Sequence, residues 1–274
     1  MRVRSYAQNI LIGTTAALFA GTRLVPGHDR SGPVLVAASA FVTAKASSTL
    51  ETGPSAATAR AKAALAVLTG SVRQLSHPAA LDDAFRSYYA FRGAHPDQVK
   101  KPLLYFVDYG LPSTTPRGYV FDMDSLKVVE GPFTVAHGRG SSAAQYGIPT
   151  RFSNASGSAA TSLGLYIAKS LYDFHGHSGG RAYSSVGLRL VGVSAGFNDK
   201  ALARGVVAHG APYVTADKAG RSEGCPAIEP GRAKELLPKL ADGGMVFLFA
   251  PNSDWMNGDP WLTAASDESA AATN

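Results

Sequence analysis

Cys225 and His209 are the two residues whose chemical types and spacing could carry out a reaction. Cys225 is the single cysteine of the 274-residue chain and lies in the segment GRSEGCP at 220–226, sixteen residues after His209. A free thiol has a pKa of about 8.5, so a nucleophilic cysteine needs a base or a positive charge close to it. The pair therefore predicts a thiol nucleophile with an imidazole base. The alternative for an unpaired cysteine is a small buried hydrophobic side chain.

The neighbouring residues offer further groups for such a site. Arg221 lies four residues before the cysteine and supplies a positive charge. Gly224 permits a tight turn whose backbone N–H groups could point at a developing oxyanion, and Pro226 then fixes the chain direction. His209 follows an apolar run at 205–208, which predicts a position at the edge of a sheet.

The composition is that of a globular protein, and the net charge favours an anionic environment. Hydrophobic residues make up 45% of the chain and charged residues 17%, and the formal net charge is +6. This excess of positive charge favours a wall polymer or a membrane surface. Runs of Lys and Arg never exceed two residues and do not alternate with aromatics, so nucleic acid is excluded as the expected partner.

The N-terminal segment has the pattern of a secretory signal. Two arginines lie within residues 1–4, an apolar run follows at 10–20, and polar residues come next. The apolar run is too short to span a bilayer comfortably. We therefore expect an exported protein of the periplasm or cell envelope, with residues 1–46 as a signal peptide or N-terminal anchor.

Residues 47–100 are expected to form an Ala-rich linker and a helical segment. Apolar residues recur at helical spacing from Ala57 to Leu75, and a second helix is predicted between Pro78 and Gly93.

Beyond residue 101 the pattern changes to short strands. Six runs of β-branched or aromatic residues predict strands at 103–109, 118–121, 128–135, 186–193, 205–208 and 245–249. Pro230 and Gly243 delimit a predicted helix at 230–240. The Gly- and Ser-rich stretch at 138–185 has no clear period and is expected to be ordered and to line a cleft.

These patterns predict a mainly β fold with accessory helices. The catalytic domain is expected at 101–252, as a β-sandwich or mixed sheet preceded by the short helical segment, with 253–274 as a polar tail.

Several short segments occur in a fixed order along the second half of the chain. They are AHGRGS at 136–141, FSN at 152–154, GS at 157–158, SLG at 162–164, GFND at 196–199, AHGA at 208–211 and GRSEGCPA at 220–227. Their order and the His-to-Cys spacing resemble the murein L,D-transpeptidase catalytic-domain family, a relative of the YkuD-type enzymes. The resemblance extends from about residue 102 to 249.

The resemblance implies a YkuD-like domain that cuts the peptide stem of peptidoglycan after an L-centred residue and transfers the acyl group. By matching position, Cys225 would be the nucleophile, His209 its base, and the carbonyl of Gly210 the group that orients the imidazole. The oxyanion and pocket residues would be Gly224, Ser222 and Arg221. The remaining candidate substrate contacts are Tyr213, Asn154 and His137.

The implied partner is the peptidoglycan stem peptide, with wall or peripheral membrane association and without a cofactor. Water in place of the acceptor amine would make the same site an L,D-carboxypeptidase. Many YkuD-type enzymes carry Ser-His-Gly-Cys and an Arg two residues later, whereas this chain has Ser222-Glu223-Gly224-Cys225-Pro226-Ala227. This departure leaves a catalytically weak or inactive wall-binding protein as the alternative.

Three other interpretations have less support from the sequence. His175 and His177, with Asp173 beside them, could be a metal pair, but no third ligand follows at a suitable spacing. A serine nucleophile at Ser222 would require a Gly-x-Ser-x-Gly elbow, which the sequence lacks. A papain-like peptidase usually places its cysteine before its histidine, the reverse of the order found here.

Overall fold

The computed structural model describes residues 54–263. The helices in this range are α1 (Pro54–Leu68), α2 (Ala80–Ala94), α3 (Pro230–Leu240) and α4 (Ser253–Gly258). The strands are β1 (Leu103–Asp108), β2 (Gly118–Asp122), β3 (Lys127–Phe133), β4 (His137–Gly138), β5 (Gly164–Ser178), β6 (Arg181–Gly192), β7 (Val207–Gly210), β8 (Arg221–Ser222), β9 (Ala227–Ile228) and β10 (Met245–Phe249).

Eight of these strands form one mixed sheet in the order β3-β2-β1-β10-β5-β6-β7-β9. The β1–β10 and β7–β9 pairs are parallel, and the other neighbours are antiparallel. Strands β4 and β8 form a separate parallel pair. The expectation of a mainly β fold with accessory helices is confirmed.

The centre of the large sheet is covered on both faces. Every residue of β10 is buried, although side chains of a strand alternate between the two faces. Helix α2 packs on β1, β5 and β10, and α3 packs on β6 and β7 as well as on the central strands. The predicted helical segment thus shares one hydrophobic core with the sheet, through residues such as Phe85, Tyr88 and Phe91.

Helix α3 begins and ends where the sequence predicts. Pro230 occupies its first turn, where a missing N–H costs nothing, and the chain turns back through Gly243 with a φ of +118°. The side chains of Ala233, Leu236 and Leu237 are buried against the sheet. The helix therefore supports the strand that carries His209 from behind.

A long β5–β6 hairpin occupies much of the stretch that the sequence left without a period. Its outer half alternates aromatic residues with glycine and histidine, so its hydrophobic pattern is weak. Gly187 and Gly176 lie beneath the rings of Tyr172 and Tyr183, because a Cβ at either position would fall within 2.8 Å of ring atoms. Because glycine has no side chain, the two rings can lie flat against the hairpin at these positions.

Within residues 54–263, none of the helices combines the length and apolarity needed to cross a membrane. The predicted signal peptide or anchor at 1–46 lies outside the described residues.

Candidate active site

The strand pair β7–β9 brings the histidine and the cysteine to one part of the sheet. His209 is paired with Ala227 in the parallel register, and Gly210 with Ile228. Cys225 precedes Ala227 by two residues, and in an extended chain side chains two residues apart point to the same face. The thiol is therefore placed near the start of β7 and His209 near its end.

The thiol of Cys225 is held by the backbone at the start of β7. Its Sγ lies 3.9 Å from the carbonyl oxygen of Gly205, to which the S–H can donate, and the N–H of Val207 also hydrogen-bonds the sulfur. The residue is half-buried. Burial raises the pKa of the thiol, whereas the Val207 amide and the positive charge of Arg204 oppose that rise. The resting thiol is accordingly protonated at neutral pH.

The imidazole of His209 is buried and has a defined tautomer. Its Nδ1 lies 3.1 Å from the carbonyl oxygen of Gly210, and only 2% of the residue is exposed. Because a carbonyl can only accept, the proton lies on Nδ1 and the Nε2 lone pair is free to act as a base. Burial lowers the pKa of His209 to about 4, so the ring is neutral at pH 7.

Cys225 and His209 are not directly hydrogen-bonded. Among the contacts of residues 54–263, those of the sulfur go to Gly205 and Val207, and the polar contact of the imidazole goes to Gly210. A proton transfer from thiol to imidazole therefore requires the S–H to rotate away from the Gly205 carbonyl.

A serine hydroxyl stabilises the turn that precedes the thiol. Ser222 Oγ accepts from the N–H of Gly224 at 3.1 Å and donates to the carbonyl of Cys225 at 2.7 Å. The Gly224 N–H is thus used inside the turn. Within the described part of the chain, no hydrogen bond uses the N–H of Cys225. The turn leaves this one donor of the pair available to an oxyanion.

Gly224 cannot be replaced by a residue with a side chain without strain. Its φ is +125°, and a Cβ built on it would lie 2.9 Å from the carbonyl oxygen of Ala160. This close approach packs the turn at 222–225, which would carry the nucleophile, on the segment 158–161.

Arg204, which the sequence did not single out, is the cation that influences the thiol. Its guanidinium donates to Ser153, Ser158, Ala160 and Ser162. Arg221, the cation expected from the sequence, donates to the carbonyls of Ser142 and Ala143 instead. Arg221 therefore shapes the wall of the site by holding the 141–150 loop, whereas the charge beside the Cys225 thiol comes from Arg204.

Comparison with known proteins places this arrangement in a family. The L,D-transpeptidase catalytic domain family matches residues 73–249, which include the histidine, the cysteine and more than half of the chain. The chain belongs to the L,D-transpeptidase catalytic domain family.

Solved structures with a similar chain path include an L,D-transpeptidase from Mycobacterium smegmatis, with 15% identity, a TM-score of 0.33, and coverage of 55% of this chain and 59% of that chain. An L,D-transpeptidase in complex with imipenem has 14% identity, a TM-score of 0.33, and coverage of 54% and 59%. The Ldtfm-avibactam carbamoyl enzyme has 14% identity, a TM-score of 0.32, and coverage of 56% and 49%. The match thus spans less than two thirds of each of these chains. No curated protein gives a significant match.

An aromatic wall lies beside Cys225 and His209 in this L,D-transpeptidase domain. We use the term for Tyr172, Phe174, Tyr183 and Tyr213. Burial raises the pKa of each of the three tyrosines, and the nearby Cys225 raises it further. Tyr183 and Tyr213 are hydrogen-bonded to each other, and the ring of Phe174 contacts both hairpin tyrosines. Tyr213, a candidate substrate contact, thus lies beside three hairpin residues that the sequence analysis did not single out.

The other two candidate substrate contacts have structural partners. The Asn154 amide donates to Asp199 Oδ1 at 2.7 Å and accepts from the N–H of Lys200, and it thereby ties two loops together. His137 is fully buried, with Nδ1 3.0 Å from Nη2 of Arg117. Burial and the neighbouring arginines lower the pKa of His137 to about 3. Its neutral ring supports the strand next to the nucleophile turn from the interior.

The buried cation Arg117 connects this interior to the site. It donates to the carbonyl of Val135 as well as to His137, and its guanidinium lies 4.7 Å from the ring centroid of Tyr109. These contacts fix the strand β4, which pairs with β8 and so positions the nucleophile turn.

The histidines of the hairpin do not form a metal centre. His175 is exposed, with Nδ1 3.0 Å from the hydroxyl of Ser184. No group of three or more metal-binding side chains occurs among the residues that the structure describes.

Proposed function

We propose that this chain is a cysteine-dependent L,D-transpeptidase that acts on peptidoglycan stem peptides through a thioester on Cys225. The observation that carries the proposal is the hydrogen bond from His209 Nδ1 to the Gly210 carbonyl, which leaves the Nε2 lone pair free to act as a base. In the β7–β9 register, His209 lies two residues further along β7 than the position opposite Cys225. The family match supports the same reaction class.

In the first half of the reaction, the thiol gives its proton to Nε2 of His209, and Sγ attacks the amide carbonyl that precedes a terminal D-amino acid. The oxyanion meets the N–H of Cys225, which lacks a partner within the described residues. The imidazolium then protonates the leaving amine, and the C–N bond breaks. A thioester on Cys225 and a free D-amino acid result.

In the second half, an amine from another stem attacks the thioester and His209 takes up the proton of the amine. Collapse of the intermediate forms the new amide and expels the thiolate, which the imidazolium reprotonates. Water in place of the amine gives the shortened stem, which is the L,D-carboxypeptidase outcome.

The direct test is mass spectrometry of the protein incubated with a disaccharide-tetrapeptide. We expect a transient acyl adduct on Cys225, release of the terminal D-amino acid, and a cross-linked product. Cys225→Ala and His209→Gln should each abolish the release while circular dichroism and the melting temperature stay near those of the wild type. Release that persists in Cys225→Ala would refute the mechanism.

The alternative is a wall-binding protein with little or no activity. The observation that favours it is the neutral, unbonded resting pair, because the raised pKa of Cys225 lowers its reactivity. Carbapenem acylation separates the two functions. An enzyme should be acylated at Cys225 far faster than a model thiol, whereas a binder should remain unmodified and still sediment with isolated peptidoglycan.

We also propose that the protein works outside the cytoplasm, in the periplasm or cell envelope, in association with the wall. The formal net charge of +6 supports attraction to an anionic wall polymer. Fractionation of cells that produce the tagged protein tests this location. Recovery from the cytoplasmic fraction alone would contradict it.

A further inference from the structure

Arg204 lies in the loop between β6 and β7 and reaches across to a different segment of the chain. Its Nη1 donates to the Ser153 carbonyl at 2.8 Å and to Ser162 Oγ at 2.5 Å. Its Nη2 donates to Ser158 Oγ at 3.1 Å and to the Ala160 carbonyl at 2.9 Å. The guanidinium is therefore fixed in one orientation by four acceptors.

All four acceptors are uncharged. None of the salt bridges recorded for residues 54–263 includes Arg204. By contrast, the neighbouring cation Arg139 pairs with Glu223 on the surface, at 2.7 Å. Hydrogen bonds to hydroxyls and carbonyls orient the charge of Arg204 but do not cancel it, so the half-buried arginine acts as an uncompensated positive charge.

This charge is adjacent to the nucleophile turn. The Ala160 carbonyl oxygen that Arg204 binds lies 2.9 Å from the point where a Gly224 Cβ would be, and Nη2 of Arg204 lies 3.8 Å from the same point. Arg204 also immediately precedes Gly205, whose carbonyl is the partner of the Cys225 thiol. Arg204 thus binds the Ala160 carbonyl that lies against the turn, and it directly precedes Gly205, which binds the thiol.

Its contact with Ala160 has a second effect. The Ala160 carbonyl carries partial negative charge beside Gly224-Cys225, where negative charge must develop during the reaction. The hydrogen bond from Nη2 engages this oxygen and lowers the repulsion that it exerts. In addition, Arg204 is the one cation among the groups that affect Cys225, and it lowers the pKa of the thiol.

We propose that Arg204 is a positioning residue of this site: it does not touch the substrate but holds a fixed positive charge behind Gly224-Cys225 that stabilises the thiolate. Its effect on the oxyanion of the acyl intermediate rests on the function proposed above, whereas its effect on the thiolate does not.

The test is the pH dependence of Cys225 alkylation by iodoacetamide, which needs no substrate. In Arg204→Met and Arg204→Gln, both of which lose the charge, we expect the apparent pKa of the thiol to rise by about 1 unit. Arg204→Lys keeps the charge and should restore most of the wild-type profile. Lys200→Met removes an exposed cation of the same loop and should leave the profile unchanged.

A double variant separates charge from loop order. Ser158→Ala with Ser162→Ala removes two of the four acceptors but keeps the arginine, so the thiol should titrate as in the wild type. An unchanged profile in Arg204→Met or Arg204→Gln would overturn the inference. So would a shift in Arg204→Lys or in the double serine variant as large as that in Arg204→Gln, since the cause would then be structural.

Measurement of D-amino-acid release by the wild type and by Arg204→Gln distinguishes this inference from the proposed function. If the alkylation profile shifts as expected but the wild type releases no D-amino acid, the transpeptidase proposal fails and the role of Arg204 stands. If the wild type turns over and Arg204→Gln retains both its profile and its kcat, the inference alone fails. With both correct, kcat should fall about 10-fold in Arg204→Gln with little change in KM.

Discussion

The imidazole of His209 is stacked on the ring of Phe174, with centroids 4.0 Å apart and ring planes at 17° to each other. Phe174 is on β5 and His209 on β7, so the contact spans the intervening strand β6. The phenyl ring covers one face of the imidazole, and the hydrogen bond to Gly210 fixes its edge. Together they determine the orientation of the imidazole, and burial lowers its pKa although the hydrogen bond to Gly210 opposes that effect.

Removal of the stacked ring should expose the base and loosen it. In Phe174→Ala we expect the pKa of His209 to rise from about 4 towards the ordinary value of about 6.5, because burial is what lowers it. The acid limb of the pH–rate profile should move upward with it, and kcat at pH 7 should fall roughly 10-fold because the imidazole is less well aligned. Val67→Ala, which changes an exposed residue of helix α1, serves as the control. An acid limb that stays in place would contradict this account.

The free energy of unfolding should decrease at acid pH because of two buried histidines. The pKa is lowered to about 4 in His209 and to about 3 in His137, whereas the unfolded chain binds each proton near pH 6.5. Protonation therefore favours the unfolded state, and the contribution present above pH 6.5 is lost as the pH falls towards these values. The slope is about 1.4 kcal/mol per pH unit for each histidine.

Urea denaturation between pH 7 and pH 4 measures this slope. His137→Gln keeps an acceptor for Arg117 and removes one titrating group, so it should be less sensitive to acid than the wild type. His175→Gln, on the exposed hairpin, should behave as the wild type. Equal slopes in all three proteins would show that the buried rings are not the cause.

The turn before the nucleophile should depend on one hydroxyl. Ser222→Ala removes two hydrogen bonds, one accepted from the Gly224 N–H and one donated to the Cys225 carbonyl, and releases the turn. A loss of about 1–2 kcal/mol of transition-state stabilisation corresponds to a 5- to 30-fold decrease in kcat/KM for D-amino-acid release. Ser222→Thr retains the hydroxyl and should recover part of the rate, while Ser184→Ala, on the exposed hairpin, should have no effect. Full activity in Ser222→Ala would show that the turn is held by other contacts.

Gly224→Ala should be more damaging than most glycine substitutions. The added methyl group would adopt an unfavourable φ and lie 2.9 Å from the Ala160 oxygen. We expect a loss of about 1–3 kcal/mol in the free energy of unfolding, together with loss of carbapenem acylation at Cys225. In Gly70→Ala the new methyl group meets no atom within 4 Å, so that variant should be tolerated. Comparison of the two melting curves gives the answer, and similar curves would count against strain at Gly224.

Helices and strands with clear end signals or apolar runs could be predicted from the sequence, and so could the candidate site residues that lie in short motifs. Helix α3 could be found because proline and glycine mark its ends, and β1 and β10 because they are short runs of apolar residues. Cys225, His209 and Gly210 could be proposed because their types and spacing already suggest a reaction. Their catalytic roles remain predictions.

The rest depends on contacts that cross long stretches of chain. Phe174 meets His209 across 35 positions, and nothing in the weakly periodic hairpin marks that ring as part of a site. Arg204 looks like one of many surface cations until its side chain is seen to reach the 153–162 segment. Arg221, which is closer to the cysteine in sequence, turns to the other side. Proximity along the chain was a poor guide to which charge reaches the sulfur.

The glycines under the tyrosine rings have a consequence for which molecules the enzyme can admit. A methyl group at position 176 or 187 would collide with the aromatic ring that rests there and displace it from the hairpin. The positions of these two tyrosine rings near Cys225 are therefore set by two residues that have no side chain. A change in substrate preference could arise at these positions while every catalytic atom remained where it is.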